Sequence, residues 1–272
     1  MGDAGGQGGA AARLTTELRA AYDAAAGDWA GGPEQMYARL AGALVAAAPV
    51  PLAGRSVLDL GAGTGVAGRA ALAAGARLVV AADLATGMLR RAGPELHPVA
   101  ADAATLPFRD GCFDLVLAAL SLSHLVDLAA GLGEARRVGR AIAASAFAPG
   151  WSHPARAAVD EALLPFGYRP PGWYVRLKRE TEPRAEDPDL LAGLAAAAGF
   201  RRVRLRTATV PTGLATPAQL ASWRLGMANI APFVSSLEPA RRAELRRAAE
   251  RAVTGLEPLV VSVTVLTAEA GG

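Results

Sequence analysis

Apolar residues in this chain gather in short unbroken runs, separated by stretches in which they recur every three or four positions. The first run, at 56–60, is Ser-Val-Leu-Asp-Leu, and further runs lie at 77–82, 97–101, 113–120 and 141–147. Between them, 66–74, 86–92 and 127–137 have helical spacing. Strand-length runs alternating with helical stretches predict a doubly wound parallel sheet with a helix after each strand. Two more helices are expected upstream, over 14–26 and 33–48, the second stopped by Pro49 and Pro51.

The second half has a different texture. Residues 189–198 read as a helix ended by Gly199. Val203, Leu205 and Thr207 then alternate with Arg202, Arg204 and Arg206, the pattern of an edge strand protected by charge. Residues 217–253 hold two or three helices, and 259–266 is almost continuously apolar and β-branched, as in a strand buried on both faces. The last strand is therefore expected to insert inside the edge strand. No repeat or long linker divides the chain, so residues 13–272 are read as one domain after a Gly/Ala-rich, disordered tail at 1–12.

Composition narrows the classes. The chain has 272 residues, 52% of them hydrophobic, enough for one substantial core. No apolar stretch of transmembrane length occurs without charge or glycine, and the N-terminus lacks the basic-then-apolar order of a signal peptide. Cys112 is the only cysteine, which excludes an internal disulfide and fits a reducing, cytoplasmic setting. The net charge is +3, and its arginine clusters at 201–206 and 241–251 lack interleaved aromatics, which argues against a nucleic-acid partner. No metal site and no membrane partner are expected, and oligomeric state is left open. A single lysine, Lys178, amid abundant Ala, Gly, Arg and Pro is the bias of a GC-rich bacterial coding sequence.

The chemistry starts at Val57-Leu58-Asp59-Leu60-Gly61-Ala62-Gly63-Thr64-Gly65, a strand running into alternate glycines and then a helix. Glycine permits a sharp turn and close ligand approach, and the helix start behind it offers unpaired N–H groups. Asp83, 18 residues after Gly65, ends the next strand, where a carboxylate can accept from both hydroxyls of a ribose. Residues 63–68 also satisfy G-x-G-x-x-G, the dinucleotide fingerprint. Asp59 speaks against that reading, because a carboxylate beside the glycines would repel a pyrophosphate. Asp83 and Asp102 have a plainer alternative as helix or turn caps.

These segments, with Asp102-Ala103, Leu106-Pro107-Phe108 and Phe113-Asp114-Leu115-Val116, resemble four successive motifs of class I S-adenosylmethionine (SAM)-dependent methyltransferases. The likeness is to small-molecule enzymes of the ubiquinone and menaquinone biosynthesis type and covers about residues 15–147. It implies a Rossmann-like α/β fold, a seven-stranded sheet with an antiparallel last strand, a helical lid, and SAM as cofactor. It also implies roles. Asp59 and the backbone of Gly61, Ala62 and Gly63 would meet the amino-acid end of SAM. Asp83 would bind the ribose, with Leu84 and Met88 flanking the adenine, and Asp102 with Ala103 would reach the adenine amino group. Ala119 and Leu120 would pass the methionyl portion, and Tyr22 would close over its carboxylate. One departure stands out: the family's Pro-Gly-Gly turn before the fifth strand is reduced to Gly139-Arg140.

The acceptor side rests on residue chemistry. His124 follows the fourth strand, and its ordinary pKa of about 6.5 suits a general base, with a structural role as the alternative. His153 is a second candidate. Trp151, Trp173, Tyr174, Trp223 and Phe233 stand out in a chain that is 5% aromatic and are read as walls of a substrate pocket. They lie in the lid segments near 151–180 and 215–240. Arg169, Arg176, Lys178 and Arg179 form either a solvated face or a seat for an acidic substituent. The expected reaction is methyl transfer from SAM to an O, N or C nucleophile of a small, largely apolar molecule, such as a bacterial secondary metabolite. Cyclisation or elimination in the same fold, and a non-catalytic SAM-binding partner protein, are the alternatives.

Overall fold

The structure, a computed structural model, describes residues 4–271. Helices α1 (Ala4–Trp29) and α2 (Pro33–Ala46) lead into β1 (Ser56–Leu60), α3 (Val66–Ala73), β2 (Leu78–Asp83), the short α4 (Thr86–Leu89) and β3 (Val99–Ala100). Then come β4 (Leu115–Ala119), α5 (Leu128–Val138), β5 (Ala141–Phe147), and helices α6 (Pro154–Leu163), α7 (Gly172–Arg176), α8 (Glu182–Glu186) and α9 (Pro188–Ala197). The chain closes with β6 (Phe200–Pro211), α10 (Pro217–Leu225), α11 (Ala231–Ser236), α12 (Pro239–Ala252) and β7 (Val260–Ala270).

The seven strands form one sheet in the order β3-β2-β1-β4-β5-β7-β6. β7 enters antiparallel between β5 and β6, as the apolar run at 259–266 predicted. The central strands β1 and β5 are buried along almost their whole length, which only continuous apolar sequence tolerates. β6 shows the alternating burial of an edge, and its register shifts between Arg201 and Arg204, where Arg202 takes φ of 51°. A bulge at a charged edge blunts pairing with other chains.

Polar residues fix the helix starts. Asp127 Oδ1 accepts the Ala130 N–H at 2.9 Å at the head of α5, and Thr216 and Gln219 form a reciprocal cap on α10. The shortened turn after α5 has a packing reason. A Cβ on Gly139 would lie 2.4 Å from Val116 Cγ2, so the end of α5 rests directly on β4. Two apolar clusters, one on each side of the sheet, form the core. One is anchored by Met36, Leu40 and Leu44 of α2, the other by Leu128, Leu132 and Val138 of α5.

The structure departs from the expected boundaries in three places. α1 begins at Ala4 rather than near residue 14, so residues 4–12 are helical where a disordered tail was expected; residues 1–3 lie outside the described residues. Ala10, Ala11 and Ala12, of the strongest helix-forming residue type, join directly onto the expected helix and extend it toward the N-terminus. The third strand contracts to two residues, since only Val99 and Ala100 pair with β2. Between α7 and α8, Leu177–Thr181 forms a π-helical turn, which no periodicity announced. Among the described residues no helix is long and apolar enough to cross a membrane.

Candidate functional site

The carboxyl ends of β1, β2 and β4 open onto a cleft of about 170 Å³. Its floor is the loop after β1. Gly61, at φ of 69°, has the Ser121 Cβ 2.4 Å from where a Cβ of its own would sit, so only glycine lets the two loops meet. Gly61 and Ala62 both donate to the carbonyl of Ala82, at 2.8 and 3.0 Å, which ties the loop to β2.

Asp83 organises one end of this cleft. Its Oδ2 accepts the Gly63 N–H and its Oδ1 the Ala85 N–H, both at 2.8 Å. Each oxygen keeps a further lone pair. Burial raises its pKa, and those two N–H groups work against the rise. Asp102 lies alongside, one of its oxygens accepting the Ala104 N–H at 2.9 Å. Thr64 lines the same cleft with a buried hydroxyl that has no partner.

At the other end β4 stops with strain. Leu120 takes φ of 58°, a costly value for a branched side chain. Its N–H is held by Ser145 of β5. The kink turns the chain into a single 3₁₀ turn, Leu122–His124, and delivers His124 to the cleft. There the His124 Nε2 and the Tyr22 hydroxyl of α1 lie 2.8 Å apart, while Ser123 Oγ is 3.3 Å from Nδ1. Burial lowers the imidazole pKa and raises that of the Tyr22 phenol well above its ordinary value, so the pair is neutral around pH 7. Tyr22 meets Trp29 edge to face at 5.6 Å, and Trp29 packs at a tilt of 33° on Tyr37 at 4.9 Å, walling this end with aromatic rings.

Beyond the pair lies a second cavity of about 60 Å³, to which Tyr22, Tyr37 and His124 also contribute. Trp151, Trp173, Tyr174 and Trp223 line it, together with Arg156, Lys178, Glu182 and Arg224. Trp151 is fixed by stacking on Phe147 at 4.8 Å and by its indole N–H on the Val260 carbonyl. Arg224, almost fully buried, binds both carboxylate oxygens of Asp160 at 2.7 Å. The π-helical turn carries Lys178, which pairs with Glu182.

Most of the residues singled out from sequence meet here. Tyr22, Gly61, Ala62, Gly63, Asp83, Leu84, Met88, Asp102, Ala103, Ala119 and Leu120 all line the first cleft. Three expectations are corrected. Asp59 lies under the loop, 1% exposed, its Oδ2 accepting the Gly68 N–H at 2.7 Å, and it does not line the cleft. In a parallel strand alternate side chains face opposite layers, and Asp59 faces α3. His153 lines neither cavity; its Nδ1 accepts the Ala155 N–H at 3.2 Å and caps α6. Phe233 packs on Tyr168 at 5.4 Å, outside the second cavity. Arg176 and Arg179 are engaged by Glu17 and Glu180, as exposed ion pairs. Sequence reasoning missed Thr15, Arg19, Trp29, Tyr37 and Ser121 in the first cleft and Arg156, Glu182 and Arg224 in the second. Ser121 follows the fourth apolar run directly and was the one with a positional signal; the others sit on helices that carry no motif.

Residues 58–142 match the family described as a methyltransferase domain. The chain is 42% identical over 106 residues to a demethylmenaquinone methyltransferase of Beutenbergia cavernae, a stretch covering 36% of this chain and 44% of that protein. It spans about two fifths of the length of the curated relatives it matches. In fold it is similar to an Anabaena variabilis protein described as a methyltransferase candidate from an antibiotic biosynthesis pathway, at a TM-score of 0.59 and 18% identity, covering 84% of this chain and 96% of that one. It is also similar to the 4+2 cyclase SpnF, at a TM-score of 0.50 and 17% identity, covering 84% and 80%. The segment carrying the glycine loop, Asp83, Asp102 and β4 thus matches the methyltransferase-domain family model, and the whole sheet shares the fold of the solved methyltransferase structures.

Proposed function

We propose that this chain transfers a methyl group from SAM, held in the first cleft, to an oxygen, nitrogen or carbon nucleophile of a small molecule held in the second cavity. The observation that carries the reading is the junction. A cleft lined by the glycine loop, Asp83 and Asp102 and an aromatic cavity meet at one buried, neutral Tyr22–His124 pair.

The residues of the cleft fit the cofactor. Asp83 has a lone pair on each oxygen for the two ribose hydroxyls, and Asp102 stands beside it for the adenine. The unpartnered Thr64 hydroxyl and the guanidinium of Arg19 offer donors toward the amino-acid portion. The rings of Tyr22, Trp29 and Tyr37 present π-faces suited to a cationic sulfur. When bound, SAM supplies an electrophilic methyl whose departure leaves a neutral thioether.

Positioning of two bound reactants can contribute roughly 7–11 kcal/mol, so the chain's main task is to hold the acceptor against the methyl. His124 adds a proton acceptor. A neutral imidazole with Nε2 at the junction can take the proton an acceptor hydroxyl or amine releases. The Tyr22 hydroxyl then turns its oxygen toward the imidazolium N–H. Helix α1 lines both cavities and α7 and α10 line the second, and we read them as the lid that excludes water.

Isothermal titration tests the reading. SAM and its demethylated product should bind near micromolar affinity, about −8 kcal/mol. Binding of NADH with none of SAM would overturn it. Labelled SAM, incubated with small-molecule fractions, should pass its methyl carbon to an extractable product. Stoichiometric SAM binding with no labelled product from any fraction would favour an isomerising or non-catalytic role.

A further inference from the structure

The second cavity has an unbalanced set of polar groups. Four charged side chains line it. Lys178 is paired with Glu182, and Arg224 is neutralised by both oxygens of Asp160. Arg156 has no carboxylate partner among the described residues. Its one side-chain bond is from Nη2 to the Tyr174 hydroxyl at 2.9 Å, so the guanidinium has no direct ion pair, although its charge is felt by Glu186. Trp223 is 3% exposed, and its Nε1–H has no partner among the described residues. A buried donor without an acceptor is costly, so a fold tolerates one where something else completes it. The remaining wall is flat aromatic surface from Tyr37, Trp151, Trp173 and Tyr174.

We infer that the second cavity takes a planar aromatic acid, with its anionic oxygen group on the Arg156 guanidinium and a further oxygen on the Trp223 indole N–H. The inference rests on the methyl-transfer reading for the identity of the cavity as the acceptor site. Its content is separate: the acceptor carries a negative charge and stacks as a flat ring. Indole and phenol rings around the half-buried guanidinium leave it less water than the open surface does, which strengthens a charge-assisted bond there. The two neutralised pairs bound the cavity without competing for the anion. A cationic or amine-bearing ring would face the bare charge of Arg156 and leave the Trp223 donor unmet.

An isosteric charge series tests this. The probes are 4-hydroxybenzoate, 4-hydroxybenzamide and 4-hydroxybenzamidine, titrated into the full chain with and without saturating S-adenosylhomocysteine. The carboxylate should bind at least tenfold tighter than the amide, with the amidine weakest. R156M should lower carboxylate affinity roughly tenfold to hundredfold, to the level of the amide, and R156K should recover part of it. W223F should weaken carboxylate and amide together. Equal binding of acid and amide, tightest binding of the amidine, an equal loss for all three in R156M, or no binding of any at millimolar concentration would each overturn the inference. Failure to bind S-adenosylhomocysteine would instead bring down the methyl-transfer reading, while the charge preference would still be read in the cofactor-free protein.

Discussion

The two cavities that meet at His124 are built from different material. The first takes nearly all its wall from the loops that follow β1, β2, β3 and β4, with α1 laid across the top. Much of what it presents is backbone or a carboxylate fixed by backbone: Gly61, Ala62, Gly63, and Asp83 held by two N–H groups. The second is lined mostly by large aromatic and charged residues from α1, α2, β5, α6, α7, the π-helical turn, α8 and α10, with Trp151 and residues 227–229 from the connecting loops. A site made of backbone is set by sheet topology and a few glycines, so it persists while surrounding side chains drift. A site made of side chains changes with each substitution, so specificity resides there. The shared family model stops at residue 142, just after the last loop of the first cleft, and reaches none of α6, α7 or α10.

If the junction is a working pair, its loss should have the largest effect. H124A should lower turnover by roughly 10²–10⁴ fold while SAM affinity holds. In wild type the rate should rise with pH through a midpoint below the ordinary histidine value, because burial lowers that pKa, and the mutant should lose the dependence. A structural His124 would behave otherwise: the melting temperature and SAM affinity would fall together. An intact rate in stable protein would leave catalysis to positioning alone.

The next effect separates the cavities. D83A should weaken SAM by about 1–3 kcal/mol, since both ribose hydroxyls lose a charged acceptor. D83N, which keeps an acceptor for one of the two N–H groups, should lose less. Unchanged SAM affinity in D83A, measured by titration, would reduce Asp83 to a cap on the loop. W173A should do the opposite, with turnover on an aromatic acceptor down roughly twofold to tenfold and SAM binding steady. If D83A and W173A each damage both parameters equally, the two cavities act as one site and the contrast drawn above fails.

The same contrast explains what could be read in the sequence. β1 and β5 fall where their apolar runs predicted, because burial on both faces leaves no choice of register. The last strand's position inside the edge strand followed from its unbroken apolar run against the alternating pattern of β6. Eleven lining residues of the first cleft were named by the family resemblance, whose motifs persist because their glycines and strand-end carboxylates are tied to backbone geometry. Asp59 misled because strand alternation buries it toward α3 while its neighbours face the loop. In the second cavity the tryptophans were found by their rarity, but Arg156 and Glu182 look like any surface charges on a helix. The π-helical turn and the left-handed Leu120 are imposed by tertiary packing, and local sequence holds no record of either.

The smallest predicted effect comes from Asp59, the residue under the glycine loop. Burial raises its pKa to about 7, against the pull of the Gly68 N–H. A carboxyl that holds its proton more tightly folded than unfolded stabilises the fold fully below its unfolded value of about 3.9 and loses that contribution as pH rises through about 7. His124 and His153, both lowered by burial, run the other way and cost stability as pH falls below their ordinary value. Comparing D59N with wild type cancels these terms. The asparagine carbonyl can still accept the Gly68 N–H, and it carries no charge to bury. The mutant should therefore gain on wild type as pH climbs from 5 to 7, with the difference levelling off above about 8. Denaturant midpoints across that range measure it. A difference independent of pH would mean that Asp59 is already ionised throughout, and that α3 shields its charge better than its burial implies.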